Sequence, residues 1–170
     1  MNKDNIILIG MPASGKSTAG VVLAKFLGYD FIDTDILIQE KTGKLLHEII
    51  SEKGLEGFKE LEEDINASVC CHKSIISPGG SVIYGERAMR HFKEIGTVVY
   101  LKLPYTEVEQ RLGNLKSRGV VLQDGQTLLD LYNERAPYYE KYADITVEET
   151  GMSVEETIEF IAEKMGIAWG

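Results

Sequence analysis

A glycine-rich segment near the start of the chain has the residue types and spacing that bind a nucleotide phosphate. The apolar run Ile6–Ile9 has strand length, and four fixed positions of the pattern Gly-x-x-x-x-Gly-Lys-Ser follow it before a helical pattern: Gly10, Gly15, Lys16 and Ser17. In such a loop the glycines let successive N–H groups point at phosphate oxygens, and the dipole of the next helix adds positive charge. Lys16 would reach the β- and γ-phosphates, and the Ser17 hydroxyl would reach Mg²⁺. The spacing therefore predicts a nucleotide-binding P-loop.

Two carboxylates follow the second predicted strand, Tyr29–Ile32. Asp33 and Asp35 share a face of the extended segment, because residues two apart point the same way. One could serve Mg²⁺, directly or through water, while the other orients or deprotonates a substrate hydroxyl for attack on the γ-phosphate. The alternative is that one of them only caps the next helix. Two carboxylates beside a P-loop favour the functional interpretation.

A second glycine-rich loop follows the third predicted strand, Ser74–Ser77, and reads Pro78-Gly79-Gly80. In open parallel sheets, ligands bind at the carboxyl ends of the strands. The P-loop, the two aspartates and this loop each follow a strand, so we expect all three to face one crevice.

Two arginines are candidates for contacts with anionic groups. Arg118 lies in the glycine-containing stretch 113–125, which has little helical period and is predicted to be a mobile lid. There it could stabilise the transferring phosphoryl group, or it could be a solvated surface arginine. Arg135 lies on a helix just before Ala136-Pro137-Tyr138, where it could bind a substrate carboxylate through two hydrogen bonds. Its alternative is an ordinary surface salt bridge.

Strands and helices alternate along the chain, which predicts right-handed βαβ units on a five-stranded parallel sheet flanked by helices. At 170 residues we expect one domain spanning 1–170, with a substrate-binding insertion at about 34–61 and a lid at about 113–125. Pro137 is expected to kink or break the helix that spans about 127–141.

The charge and hydropathy of the chain limit the classes of molecule that it is expected to bind. A net charge of -9 gives no electrostatic footprint for nucleic acid or for an anionic membrane. No segment approaches the roughly 20 apolar residues of a membrane span, and the first apolar run is too short for a signal peptide. We expect a cytoplasmic protein that acts as a monomer on a small molecule.

From end to end, the sequence resembles the shikimate kinase family. Four segments carry the resemblance, and together they are far more specific than the P-loop alone: Gly10-Met-Pro-Ala-Ser-Gly-Lys-Ser-Thr18, Phe31-Ile-Asp-Thr-Asp35, Gly79-Gly80, and Arg135-Ala-Pro-Tyr138, which is similar to an Arg-x-Pro-x-Tyr segment. The resemblance implies the adenylate-kinase-like three-layer P-loop fold with a lid. It also implies ATP and Mg²⁺ as cofactors, and transfer of the γ-phosphate to a hydroxyl of shikimate, which yields shikimate 3-phosphate for aromatic amino acid biosynthesis.

The resemblance also implies roles for individual residues. The ATP-binding set would be Gly10, Ala13, Ser14, Gly15, Lys16, Ser17 and Thr18, with Arg111 against the adenine. Ser17 and Asp33 would hold Mg²⁺, and Lys16, Asp35 and Arg118 would be the catalytic residues. The acceptor would be bound by Asp35, Lys59, Gly79, Gly80 and Arg135.

Three departures from the family pattern concern the acceptor site and the lid. Phe58-Lys59, with Glu62 following, stands where the family has Phe-Arg with a glutamate three residues after the arginine, so a point charge replaces a planar fork. Ser81 replaces a third glycine. Gly119-Val120-Val121 stands where the family commonly has Pro-Leu-Leu.

These departures leave alternatives open. One is a related kinase for another small hydroxylated acid, which Lys59 and Ser81 motivate. Another is a nucleotide-dependent regulatory or binding module. A GTPase would need an Asn-Lys-x-Asp guanine-binding motif after a later strand. The string Asn2-Lys3-Asp4-Asn5 shares only its first two residues, ends in asparagine and precedes the P-loop.

Overall fold

The computed structural model describes residues 3–112 and 122–168. The strands are β1 (Asn5–Ile9), β2 (Asp30–Asp33), β3 (Ser74–Ser77), β4 (Gly96–Lys102) and β5 (Ile145–Glu148). The helices are α1 (Lys16–Leu27), α2 (Thr34–Thr42), α3 (Leu46–Ala67), α4 (Glu86–Ile95), α5 (Tyr105–Leu112), α6 (Leu128–Tyr142) and α7 (Val154–Lys164), and a short 3₁₀ helix spans Gly80–Tyr84. Strands and helices alternate as the sequence predicts.

The five strands of the described part form one parallel sheet in the order β2-β3-β1-β4-β5. The predicted five-stranded parallel sheet is therefore confirmed. From β1 the chain passes to β2 and β3 on one side of the sheet and then to β4 and β5 on the other. In this class of fold, the crevice where the strand order changes direction is the expected ligand site.

The core consists of two apolar layers, one on each face of the sheet. Along β1 the side chains alternate: Ile6 and Leu8 pack in the layer that contains α1 and α7, and Ile7 and Ile9 pack in the layer that contains α4 and α6. All five residues of β1 are buried. The result is the predicted three-layer sandwich.

The turn out of β1 requires glycine. A Cβ at Gly10 would lie 2.7 Å from the backbone oxygen of Leu101 in β4, and the φ angle of Gly10 is 153°. The P-loop can therefore leave β1 only where a side chain is missing. Gly15, with a φ of 82°, then directs the chain into α1.

The helical pair α2 and α3 covers the segment that the sequence predicts to be an insertion. Gly54, with a φ of 73° and a ψ of 173°, interrupts the helical geometry of α3. A separate small cluster of buried side chains holds the pair together: Ile38, Ile49, Phe58 and Ile65. This cluster fixes the first part of α3 over the carboxyl edge of the sheet.

Of the predicted kink or break at Pro137, the break is wrong, because α6 continues to Tyr142. Proline removes one helical hydrogen bond, and the carbonyl that loses its partner belongs to Asn133, which is exposed and can bond to water. The buried residues Leu131, Arg135 and Tyr139 keep the helix packed on either side of the proline. Among residues 3–112 and 122–168, no helix is both long enough and apolar enough to cross a membrane.

Asn5, at the start of β1, bonds to the segments that lead into β3 and β4. Its Nδ2 donates to the backbone oxygens of Cys71 at 3.0 Å and Ile95 at 2.9 Å, and its Oδ1 accepts from the backbone N–H of Ser74 at 3.0 Å. The residue is fully buried. The connections into β3 and β4 therefore depend on one side-chain amide.

Asn5→Ala is expected to lower the free energy of unfolding by about 2–4 kcal/mol, because it leaves buried backbone groups without partners. Urea denaturation of this variant and of Asn133→Ala, an exposed position on α6, measures the difference. The control is expected to lie within about 0.5 kcal/mol of the parent. A loss below about 1 kcal/mol for Asn5→Ala would contradict this role.

Candidate active site

A cavity of about 480 Å³ opens at the carboxyl edge of the sheet, where the P-loop, the end of β2, the loop after β3, α3 and α6 meet. Nine of the residues predicted from the sequence line it: Ala13, Lys16, Ser17, Asp33, Asp35, Lys59, Gly79, Gly80 and Arg135. The three strand-end segments thus face one crevice, as expected.

The remaining predicted residues lie elsewhere. Four belong to the P-loop and the first turn of α1 but do not line the cavity: Gly10, Ser14, Gly15 and Thr18. Arg111 on α5 donates from Nη1 to the backbone oxygen of Ala13 at 3.0 Å, so it lies against the P-loop. Arg118, residues 113–121 of the predicted lid and the Gly119-Val120-Val121 departure lie outside the described residues.

Lys16 is a buried cation at the base of the cavity. Its Nζ donates to the backbone oxygens of Gly10 and Met11, each at 2.9 Å. Burial lowers the pKa of Lys16 to about 8, and the negative charge of Asp35 opposes that change. The ammonium is therefore still charged at neutral pH, and neutral carbonyls are the acceptors of its hydrogen bonds. A phosphate oxygen would be a stronger partner.

The two carboxylate oxygens of Asp33 contact different parts of the site. Oδ1 accepts from the backbone N–H groups of Asp35 at 2.9 Å and Ile36 at 3.2 Å, which caps α2. Oδ2 lies 3.4 Å from the Ser17 hydroxyl. The capping alternative and the cavity-facing position thus hold for the same side chain. A hydroxyl and a carboxylate oxygen side by side suit Mg²⁺, which prefers hard oxygen ligands.

Asp35 lines the cavity from the first turn of α2. Burial raises the pKa of Asp35 to about 6, and the negative charge of Asp33 adds to the increase. Lys16 opposes both effects. The carboxylate is therefore mainly ionised at neutral pH, yet basic enough to accept a proton from a hydroxyl.

The loop after β3 brings the charged groups together because it has no side chains at two positions. A Cβ at Gly79 would lie 3.0 Å from Oδ1 of Asp35 and 3.1 Å from Oε2 of Glu62, and one at Gly80 would lie 2.8 Å from Nη1 of Arg135. Tyr139 donates its hydroxyl to the backbone oxygen of Gly80 at 2.6 Å and so fixes the loop to α6.

The two cations on the acceptor side have different surroundings. Arg135 is 8% exposed and, within the described residues, forms no salt bridge, so the surface-salt-bridge alternative is wrong. Lys59 lies with Nζ 4.5 Å from the ring centroid of Tyr84 and 3.7 Å from Oε1 of Glu56. The buried guanidinium is the better placed of the two for a carboxylate ligand.

The sequence pattern includes Glu62 beside Lys59 but predicts no site role for it, and Glu149 and Tyr139, which lie near the site, were not predicted. Glu62 is 3% exposed, lines the cavity and has its pKa raised to about 7 by burial. Glu149, which follows β5, is 9% exposed, and burial raises its pKa to about 7 against the charges of Arg111 and Lys16. Tyr139 could have been found, because an Arg-x-Pro-x-Tyr segment that begins at Arg135 ends at residue 139. Tyr138, where the quoted segment stopped one residue short, is 40% exposed.

Comparison with known proteins shows the family of this chain. The family model described as "Shikimate kinase" matches residues 12–166. The chain belongs to the shikimate kinase family. A shikimate kinase from Chlorobium chlorochromatii is 36% identical to this chain. The alignment covers 94% of this chain and 90% of the relative. As a member of the family, the protein is an ATP-dependent kinase that uses Mg²⁺.

Solved structures show the same fold. A shikimate kinase from Acinetobacter baumannii, solved in complex with shikimate, aligns with a TM-score of 0.85 and 30% identity over 95% of this chain and 92% of that one. A gluconokinase from Sinorhizobium meliloti aligns with a TM-score of 0.56 and 14% identity over 98% of each chain, which is a likeness of fold alone. The departures from the shikimate kinase pattern at Lys59 and Ser81 lie on the acceptor side of the cavity.

Asp35→Asn is expected to raise the free energy of unfolding at pH 8 by about 1–3 kcal/mol. A carboxyl with a folded-state pKa of about 6, above its usual 3.8, destabilises the fold once it is ionised. The gain should shrink as the pH falls through 6 and vanish below 4, where the carboxyl is protonated in both states. Urea denaturation at pH 8, 6 and 4 measures it, with the exposed Asp30→Asn as control. A destabilised variant at pH 8 would contradict this electrostatic description.

Proposed function

We propose that this protein transfers the γ-phosphate of ATP to a hydroxyl of shikimate and so forms shikimate 3-phosphate. One observation carries the proposal. A single cavity joins a P-loop to a side that offers a carboxylate, Asp35, and a buried guanidinium without a salt bridge in the described part of the chain, Arg135. A hydroxylated carboxylic acid complements that pair. Family membership, and a relative at 30% identity solved with shikimate, support this choice of acceptor.

The P-loop forms the donor side of the proposed site. Lys16 would exchange its bonds to the backbone oxygens of Gly10 and Met11 for bonds to the phosphates of ATP. Ser17 and Asp33 would hold Mg²⁺, and when bound this ion neutralises charge on the phosphate oxygens. Arg111, which contacts Ala13, would lie against the adenine. The role of Arg118 in stabilising the transferring group remains a prediction from the sequence.

Asp35 would act as the general base of the proposed reaction. Its carboxylate accepts the proton of the shikimate hydroxyl while the oxygen of that hydroxyl forms its bond to the γ-phosphorus and the bond from this phosphorus to the bridging oxygen of ADP breaks. A pKa of about 6 suits this task, because the group is ionised at neutral pH but remains a useful base.

The acceptor would be oriented by three elements. Arg135 would bind the shikimate carboxylate through two parallel hydrogen bonds, and Lys59 would add a point charge to the same region. Gly79 and Gly80 would let the acceptor approach the backbone, because neither carries a side chain. The segment at about 34–61 is part of this proposal, since Leu46, Ile50 and Phe58 line the cavity with apolar side chains.

The proposal extends to the state and location of the protein. We expect a monomer, because one chain supplies every group named above. We expect a cytoplasmic enzyme, because ATP is supplied there. The net charge of -9 favours a small-molecule acceptor over nucleic acid.

The test is an ADP-release assay with shikimate, gluconate and hydroxy-amino acids, each at up to millimolar concentration. Shikimate is expected to stimulate ADP release, and each of the others at least about 100-fold less, because a site built around paired polar contacts rejects a poorly matched acceptor. Release stimulated best by another acid would replace shikimate as the acceptor. Tight ATP binding with no stimulation by any acid would instead favour the regulatory module.

Asp35→Asn serves as the mechanistic control in the same assay. It should reduce turnover by about 10²–10⁴-fold, because it removes the proton acceptor, and it should leave the affinity for ATP within about two-fold. Asp30→Asn should behave like the parent. If Asp35→Asn kept most of its turnover, Asp35 would be only a structural residue of α2.

A further inference from the structure

Ser81 makes a short hydrogen bond to a side chain that lines the acceptor side of the cavity. Its Oγ donates to Oε1 of Glu62 at 2.6 Å. Ser81 lies in the 3₁₀ helix Gly80–Tyr84, directly after the glycine loop, and Glu62 lies on α3. Glu62 is 3% exposed, and a carboxylate so removed from water needs a donor to fix its position. The bond therefore determines how this carboxylate is oriented.

The other oxygen of Glu62 faces the same point of the loop as Asp35. The Cβ position of Gly79 is 3.1 Å from Oε2 of Glu62 and 3.0 Å from Oδ1 of Asp35. Two carboxylates thus flank one backbone position. Because Ser81 engages Oε1, Oε2 is the oxygen left for a ligand on the side of Asp35.

The lysine on the same helix does not orient Glu62. Lys59 precedes Glu62 by one helical turn, but its Nζ lies over the Tyr84 ring and is paired with Glu56. Within the described residues, the side-chain hydrogen bond that Glu62 accepts comes from Ser81. The neutral hydroxyl of Ser81 thus orients Glu62, whereas the charged side chain of Lys59 does not.

We propose that Ser81 is a positioning residue, whose hydroxyl holds Glu62 so that Oε2 accepts a hydrogen bond from a second hydroxyl of the acceptor, adjacent to the one that Asp35 deprotonates. Two carboxylates on either side of Gly79 select an acceptor with neighbouring hydroxyls. The inference about the acceptor rests on the proposed function. The orienting contact between Ser81 and Glu62 does not.

The first arm of the test is kinetic. Ser81→Ala should raise the KM for shikimate by about ten-fold, the loss expected for a hydrogen bond to a charged group, with kcat within about three-fold and the KM for ATP within about two-fold. Ser81→Thr, which keeps the hydroxyl, should recover most of the affinity. Ser51→Ala, an exposed serine of the same helix α3, is the matched control and should equal the parent.

A double-mutant cycle identifies the partner. If Ser81 acts through Glu62, then Ser81→Ala should change the KM for shikimate by less than about two-fold when Glu62→Gln is already present. Independent, additive effects would overturn the proposal. So would an unchanged KM in Ser81→Ala while the parent enzyme turns shikimate over, an outcome that leaves the proposed function intact.

The second arm of the test measures the pKa of Glu62 and needs no acceptor. Burial raises the pKa of Glu62 to about 7, and the bond from Ser81 counteracts this. Other charged groups that face Glu62 are Asp35 from α2, Arg135 from α6 and Lys59 from α3 itself. A carbon-13 NMR titration of the Glu62 carboxyl should show the midpoint of Ser81→Ala higher by about half a pH unit or more. An unmoved midpoint would overturn the orienting contact, even if shikimate proved not to be the acceptor.

Discussion

The site depends on the close approach of charged side chains to a backbone segment without side chains. At Gly79 and Gly80, two carboxylates and a guanidinium lie within about 3 Å of the positions that Cβ atoms would occupy. The loop follows β3, which pairs with both β1 and β2, so its position is set by the centre of the sheet. Tyr139, which stacks on Tyr100 with ring centroids 5.1 Å apart, fixes the loop from α6.

This arrangement concentrates charge where solvent is scarce. Lys16, Glu62 and Arg135 are each at most 9% exposed, and burial acts on the pKa of Lys16 and of Glu62 in the direction that disfavours the charged form. A fold accepts such groups at a cost in stability, and they are typical of functional sites. On the donor side Lys16 bonds to backbone oxygens, whereas on the acceptor side Arg135 forms no salt bridge within the described residues. Both cations are therefore available to anionic ligands.

Local backbone requirements made the nucleotide-binding part of the site predictable. The spacing of Gly10, Gly15 and Lys16 is dictated by a turn that needs positive φ angles and by the start of a helix, and both can be read from adjacent residues. The five-stranded sheet was predictable for a similar reason, since apolar runs of strand length alternate with amphipathic helices.

The acceptor part was less predictable, because it depends on packing between distant segments. Glu62 and Ser81 are 19 residues apart and meet only because α3 packs against the loop after β3. The double contact of Asp33 required the relative positions of α1 and α2, which no spacing reveals. The continuation of α6 past Pro137 reflects tertiary packing that overrides a local preference. Arg118 was predicted from its place in the stretch 113–125 and from the family pattern, and it lies outside the described residues.

The central claim is that the backbone at Gly79 positions the two acceptor-side carboxylates without contributing to the nucleotide site. Calorimetric titration of shikimate and of a non-hydrolysable ATP analogue into the parent and Gly79→Ala tests it directly. A methyl group at Gly79 would lie 3.0 Å from Oδ1 of Asp35 and 3.1 Å from Oε2 of Glu62. Shikimate affinity should therefore fall by about ten-fold or more while nucleotide affinity stays within about two-fold. Unchanged shikimate affinity in a folded Gly79→Ala protein would contradict this claim.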